Sequence, residues 1–423
     1  MLKALRAGGL FDGTTALGPG TVLVEDGRIK AVDTTGARPP EGAEVIDHGA
    51  DAWILPGLID THVHLVFDAG DAPVDHLAAR DDDAVLAGMR RAAARALAAG
   101  ITTVRDLGDR GYLALRLREE AAARPYVQPH IVAAGPPITS PGGHCHFLGG
   151  EAWGREALVA AVRERHERGC EVVKVMASGG HMTPGTFMHL PQYPTEDLRA
   201  VVDEAHRLGM RTATHVHSAE ATARVLDAGF DTLEHLTFFT EDGPRPTSPL
   251  VERVIGSGAT VSLTVGRLPG EPLSPLLTEC LRRLCPTWAR LHRAGVAITA
   301  GTDAGICRYK PHDVLPYAVT DLAGPIGMTP AQALAAVTSV AAAACALTGV
   351  KGCLKAGADA DLLVVGGNPL HDLTALRDVR CVYRIGHQAD SVRARPAAGG
   401  GRPGACGGGP GPRRPRGVRV RCR

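Results

Sequence analysis

No stretch of this 423-residue chain reaches the about 18–20 consecutive apolar residues that a membrane span needs, so no transmembrane helix is expected. Met1–Leu10 lacks a long apolar segment and a cleavage site, so no secretory signal is expected either. Aromatic residues are few, at 4%. The ten cysteines form no CxxC pair and no regular framework. In a chain of this length that predicts reduced thiols in a cytoplasmic protein. An excess of one charge is also lacking, with a formal net charge of +1. Nine of the 46 Lys and Arg residues lie in Ser391–Arg423, which has no Asp or Glu. The remainder carries 37 basic against 45 acidic residues, a balance of −8. That mildly acidic body gives no reason to expect nucleic-acid binding. A small-molecule substrate is expected, with no nucleic-acid or membrane partner; a homo-oligomer stays open.

What the chain has is alternation. Thr21–Val24, the turn Glu25-Asp26-Gly27-Arg28 and Ile29–Val32 form a hairpin signal within a short-stranded start. From Trp53, apolar strand runs alternate with helical patterns. Strands are expected at Trp53–Ile59, Ile101–Asp106, His130–Ala134, Glu171–Ala177, Arg211–His217, Phe230–His235, Thr260–Val265 and Val296–Thr302. The helices between them include Asp81–Ala99, Thr195–Leu208 with Thr195 as N-cap, and Ser274–Arg293 broken at Pro286. Pro330–Thr348 reads as one Ala-rich helix. Eight strand–helix units predict an α/β fold, a (β/α)8 TIM barrel over residues 53–350. Short strands return after Val350, at Leu362–Val365 and Val379–Ile385. Residues 1–52 and 351–387 are therefore expected to form a small composite β-sandwich domain from both chain ends. Residues 388–423 are rich in Gly, Pro and Arg, without periodicity, and are not expected to fold. They read as an out-of-frame or divergent end, or as a basic interaction tail.

In such a barrel the chemistry lies at the C-terminal strand ends, and polar residues occur there. His62 and His64 follow the first strand, one residue apart. In extended chain they project on one face, and two imidazoles on one face suit a metal ion. Lys174 lies inside the apolar fourth strand, Val172-Val173-Lys174-Val175-Met176. His215 and His217 end the fifth strand and His235 the sixth, and Asp303 follows the eighth. A buried ammonium without a partner is disfavoured. Lys174 either pairs with a carboxylate such as Asp303 or Glu234, or reacts as a neutral amine with carbon dioxide. The resulting carbamate is an anionic two-oxygen ligand able to bridge two metals.

Pro-Gly-Leu-Ile-Asp-Thr-His62-Val-His64, Lys174 followed by Met-Ala-Ser-Gly-Gly, Thr-His215-Val-His217, Leu-Glu-His235 and Gly-Thr-Asp303-Ala-Gly resemble the metal-dependent amidohydrolase superfamily. Ala358–Val365 resembles that family's return into its β-sandwich, and the resemblance covers roughly Met1–Tyr383. The branch it resembles contains imidazolonepropionase-like proteins and Xaa-Pro dipeptidases. The resemblance implies two divalent metal ions, zinc by default, although manganese, iron or nickel also suit such ligands. It implies that His62, His64 and Asp303 bind one ion and His215 and His235 the other. Carboxylated Lys174 would bridge them, together with the attacking hydroxide. Asp303 would act as base and then acid. His217 is the first candidate donor to the oxyanion and His144, in the loop after the third strand, the second; relatives often carry tyrosine at the position of His217. Cations that could hold a substrate carboxylate are His181 after the fourth strand, Arg267 after the seventh and Arg308 after the eighth, beside Tyr309 and Lys310. The implied reaction is hydrolysis of a carbon–nitrogen amide bond in a dipeptide or N-acyl amino acid. A lactone, cyclic amide or phosphotriester would meet the same site. An inactive barrel scaffold would have lost a ligand, and all six are present.

Overall fold

The Asp26-Gly27 turn forms because both residues adopt positive φ, 51° and 77°, the backbone that a two-residue hairpin requires. In the computed structural model, which describes residues 1–270 and 273–389, this turn joins β2 (Ala16–Glu25) to β3 (Arg28–Asp33). β2 pairs antiparallel with β1 (Lys3–Phe11) on its other side, and β4 (Glu44–Asp47) runs parallel to β1. β5 (Ala52–Pro56) continues the same sheet.

The apolar run from Trp53 is two strands rather than one. Pro56 ends β5, and the Gly57 N–H bonds to Asp361 O at 2.8 Å. β6 (Leu58–Val63) then enters a different sheet. Gly57 sits against the Thr102 side chain, where a Cβ would fall 2.1 Å from the hydroxyl oxygen. Close packing at Pro-Gly thus turns the chain from one sheet to the other.

β6 pairs in parallel with β7 (Ile101–Asp106), and β7 with β8 (His130–Ala133). Next come β9 (Val172–Met176), β10 (Arg211–Ser218), β11 (Thr232–Thr240) with the short antiparallel β12 (Gly243–Pro244), β13 (Thr260–Leu263) and β14 (Ile298–Ala300). All but β12 run parallel to their neighbours. Single parallel bridges, Ile138 to Val175 and Val63 to Ala304, join this group to the β6–β8 group at both edges. Between consecutive strands lie helices such as Asp82–Ala98, capped by the Asp81 carboxylate on Ala84 N, and Ala219–Ala228, capped by Ser218. β6, β7 and β9 are buried throughout, as expected of parallel strands covered by helices.

After the helices, β15 (Leu362–Gly366) pairs antiparallel with β5, and β16 (Val379–Arg384) and β17 (His387–Gln388) follow. Strands from both ends of the chain thereby share one eight-stranded sheet. β17 holds Gln388 and Ala389 is buried, so ordered structure runs two residues past the expected start of the tail. Residues 390–423 lie outside the described residues.

Three local expectations differ. Pro286 sits inside a continuous helix, Pro275–Arg293; a proline removes one i→i−4 bond, and packing on one helix face tolerates that loss. Thr195 is the first helical residue, with Pro194 in the cap position. The Ala-rich stretch is two helices, Pro330–Ala336 and Ser339–Ala344, because Thr338 leaves helical geometry at φ −131° and ψ −94°. Among the described residues no helix is long and apolar enough to cross a membrane.

Candidate metal centre

His62 lies within β6 and His64 just beyond it, and Asp303 arrives from the turn after β14. The Asp303 N–H donates to His62 O at 2.7 Å and the His64 N–H to Ala304 O at 3.0 Å. Asp60 locks this turn: Oδ2 accepts from the Thr302 hydroxyl at 2.6 Å, and Oδ1 from Thr302 N at 2.9 Å and His62 N at 3.2 Å. Burial pushes the Asp60 carboxyl up to about 7. Asp303 adopts φ 58°, a left-handed backbone that is uncommon for a non-glycine residue and concentrates at functional sites. Its Oδ1 lies 3.4 Å from His64 Nε2 and 3.7 Å from His62 Nε2.

The proton positions follow from the partners. His62 Nδ1 faces Glu234 Oε2 at 2.9 Å, and His64 Nδ1 faces Gly108 O at 3.0 Å. A carboxylate and a carbonyl only accept, so each Nδ1 carries the proton and each Nε2 turns toward Asp303. Burial, with Lys174 nearby, holds His62 well below the usual imidazole range, so its Nε2 is a lone pair. A lone pair, a second ring nitrogen and a carboxylate oxygen converging in one place call for a cation. This donor set fits a divalent metal ion.

Lys174 is fully buried in β9, with Nζ 3.5 Å from His62 Nε2. Burial lowers its pKa to about 8, against the opposing charges of Glu234 and Asp303. Neither carboxylate pairs with it directly. Glu234 Oε1 accepts from Arg105 Nη2 at 2.8 Å and Oε2 faces His62, while Asp303 lies against the two histidines.

A second group faces the first. The donor atoms of His215, His217 and His235 lie within 4.8 Å of one another, as do those of His62, His64 and Asp303. His215 Nδ1 is 2.9 Å from His235 Nε2, and His215 Nε2 faces Gly179 O at 3.1 Å. The carbonyl again assigns the proton to the outer nitrogen and leaves the inner one bare. His235 Nδ1 is fixed by the Thr264 hydroxyl at 2.8 Å, and its backbone is left-handed at φ 69°. The rings of His62 and His235 are 5.1 Å apart, so the two groups are contiguous. Burial holds His215 and His235 far below their ordinary pKa values, which keeps them neutral and able to ligate.

Gly301 is where β14 approaches His62 most closely; a Cβ there would fall 2.4 Å from His62 Cβ and 2.8 Å from Ser262 Oγ. Gly301→Ala is expected to cost about 1–3 kcal/mol by overpacking and to displace His62. Urea unfolding and metal uptake of the purified variant would check this; wild-type values for both would show that the approach has slack.

His144 lies over the second group, its ring 4.7 Å from that of His215. Burial takes its pKa to about 3, and its buried Nδ1 has no hydrogen-bond partner among the described residues. His181 is exposed. Arg267 and Arg308 lie 5.0 and 4.9 Å from the Tyr309 ring, and Arg308 also pairs with Asp71 at 3.7 Å. Lys310 is spent on Thr264 O at 3.0 Å and Thr302 O at 2.7 Å, which ties the loops after β13 and β14 together rather than offering a charge to a ligand.

Sequence reading misses the support beneath the centre. Arg105 is fully buried, donating to Glu234 and through Nε to Thr61 O at 2.7 Å. Its signal is weaker than that of Lys174, because its strand, Ile101-Thr102-Thr103-Val104-Arg105-Asp106, is already polar. Its partner Glu234, four strands on in chain order, reads in the sequence as a partner for Lys174 instead.

A model of the amidohydrolase family matches residues 53–388. Ochratoxinase of Aspergillus niger is 26% identical over 364 residues, covering 78% of this chain and 74% of that protein. Imidazolonepropionase of Salinispora tropica is 25% identical over 375 residues, covering 81% and 85%. Among solved structures, a Xaa-Pro dipeptidase with methionine bound in its active site superposes with a TM-score of 0.78 at 26% identity, over 92% of this chain and 99% of that one. The buried histidines, Lys174 and Asp303 in and after parallel strands thus sit in a chain that belongs to the amidohydrolase family.

Proposed function

We propose that this protein is a metal-dependent hydrolase that cleaves the amide bond of a dipeptide or N-acyl amino acid. The observation that carries the reading is the convergence of two donor groups beside one buried lysine amine that no carboxylate pairs. The similarity to a Xaa-Pro dipeptidase with an amino acid in its active site supports the substrate class. The reading includes a closed (β/α)8 barrel and a β-sandwich built on the composite sheet.

His62, His64 and Asp303 would hold one divalent ion, and His215 and His235 the other. Lys174, as a carbamate, would be shared between them; zinc suits the imidazole and carboxylate donors. Bound there, such ions lower the pKa of a shared water and polarise the scissile carbonyl. Asp303 accepts the proton of the attacking water and hands it to the leaving nitrogen. Its carboxylate suits both tasks, held by the strained turn yet 13% exposed. His144 is neutral, so one ring N–H donates to the oxyanion without placing a second cation beside the metals. Glu234 and Arg105 keep His62 in the ligating tautomer. The eight described cysteines are free, which fits a cytoplasmic setting.

The test is a library of dipeptides and N-acyl amino acids presented to zinc-reconstituted protein, with metal content measured in parallel. The expected result is two equivalents of metal and release of a free amino acid from at least one library member. Full metal loading with no amide cleaved would favour the scaffold, or the lactone and phosphotriester substrates.

A further inference from the structure

The geometry points to His217 as a third imidazole ligand in the second metal position, beside His215 and His235. This inference rests on the binuclear reading and extends it, because that reading needs only two histidines there.

Four surrounding histidines are built alike. One ring nitrogen is pinned by an outer partner, Glu234 for His62, Gly108 O for His64, Gly179 O for His215 and Thr264 for His235. The other nitrogen is left to the centre, the usual construction of a metal-ligating histidine. His217 repeats it: Nδ1 is 2.7 Å from Thr237 Oγ1, leaving Nε2 for an ion. Its backbone N–H donates to Ser178 Oγ at 2.9 Å, which fixes where β10 ends. Thr237 is brought into place by left-handed backbone on both sides, Leu236 at φ 48° and Phe238 at φ 52°. The His217 ring centroid lies 4.5 Å from those of both His215 and His235. His144 differs, since its buried Nδ1 is unpartnered; an unanchored ring suits a donor that meets substrate, and an anchored one suits a ligand.

The test is stepwise cobalt(II) binding to the metal-free full chain in a competing chelator, followed by visible absorption. Wild type is expected to bind two equivalents. His217→Gln is expected to keep the first at wild-type affinity and to weaken the second by about 10–100-fold, at least the loss seen when an outer partner is removed. Its absorption for the second equivalent is expected to change in position and intensity. Thr237→Val, which frees the ring without removing it, is expected to weaken the second equivalent less. Wild-type affinity and an unchanged spectrum for the second equivalent in His217→Gln would overturn the inference, and reduced turnover alongside them would return His217 to oxyanion donor. Should His217→Gln fail to fold, an unchanged second affinity in Thr237→Val overturns it. A wild-type protein that takes up no second equivalent overturns the binuclear reading itself.

Discussion

Lys174→Met will abolish turnover, a loss of at least about 10³-fold, since metal-assisted stabilisation of several kcal/mol is removed with the bridging ligand. The same change will make the metal-free protein more stable at pH 7, not less. Burial lowers the Lys174 pKa to about 8 in the folded chain, against the ordinary lysine value of 10.5. Below pH 8 both folded and unfolded chains hold the proton, and the folded state bears the full cost of a buried ammonium, about 3 kcal/mol. Between pH 8 and 10.5 the unfolded chain binds more protons, so stability rises with pH and the cost is relieved. Methionine has no charge to bury. Urea unfolding of metal-free, carbon-dioxide-stripped wild type and variant would measure this. The reactive form of the lysine is the free amine, so incorporation of ¹³C-bicarbonate should increase as pH rises through about 8 and then level off. A variant that keeps wild-type turnover would remove the carbamate from the chemistry. A variant that is destabilised would make Lys174 a structural residue.

Arg105→Met will be among the most damaging single changes away from the metal ligands. Arg105 and Glu234 are both fully buried and are paired at 2.8 Å. Removing the cation leaves a carboxylate without compensation in the interior, at a cost of about 3–5 kcal/mol. Glu234 would keep the Thr232 hydroxyl at 2.9 Å and the His62 ring. Its unopposed charge would then draw a proton onto His62 and compete with the metal for Nε2. The expected result is a lower urea midpoint together with weaker uptake of one metal equivalent. Arg105→Met with Glu234→Gln removes both charges and should recover part of the stability, so the double-mutant cycle should show strong coupling. A loss below about 1 kcal/mol in the single variant would mean that water or another cation replaces the guanidinium.

Much of the centre was readable beforehand because its residues break a local pattern. Lys174 interrupts Val172-Val173-Val175-Met176, and histidines stand where apolar strands end. A polar group costs so much in a buried strand that its presence alone signals a purpose. Other features followed no local pattern. Pro56-Gly57 divides the first apolar run because β5 pairs with β15, more than 300 residues later in the chain. Thr338 breaks an Ala-rich stretch that propensity alone would keep helical, its hydroxyl bonding Leu334 O at 2.7 Å.

By itself, then, the chain's pattern determined the alternation of strands and helices, which depends on periodicity, while its short motifs carried the resemblance to the family and named the candidate ligands. Only the tertiary structure decided which nitrogen of each histidine faces inward, that Glu234 belongs to Arg105 and His62 rather than to Lys174, and that His217 is anchored like a ligand. Those outcomes depend on hydrogen-bond partners from other strands, and a partner's distance through space is not written in its distance along the chain.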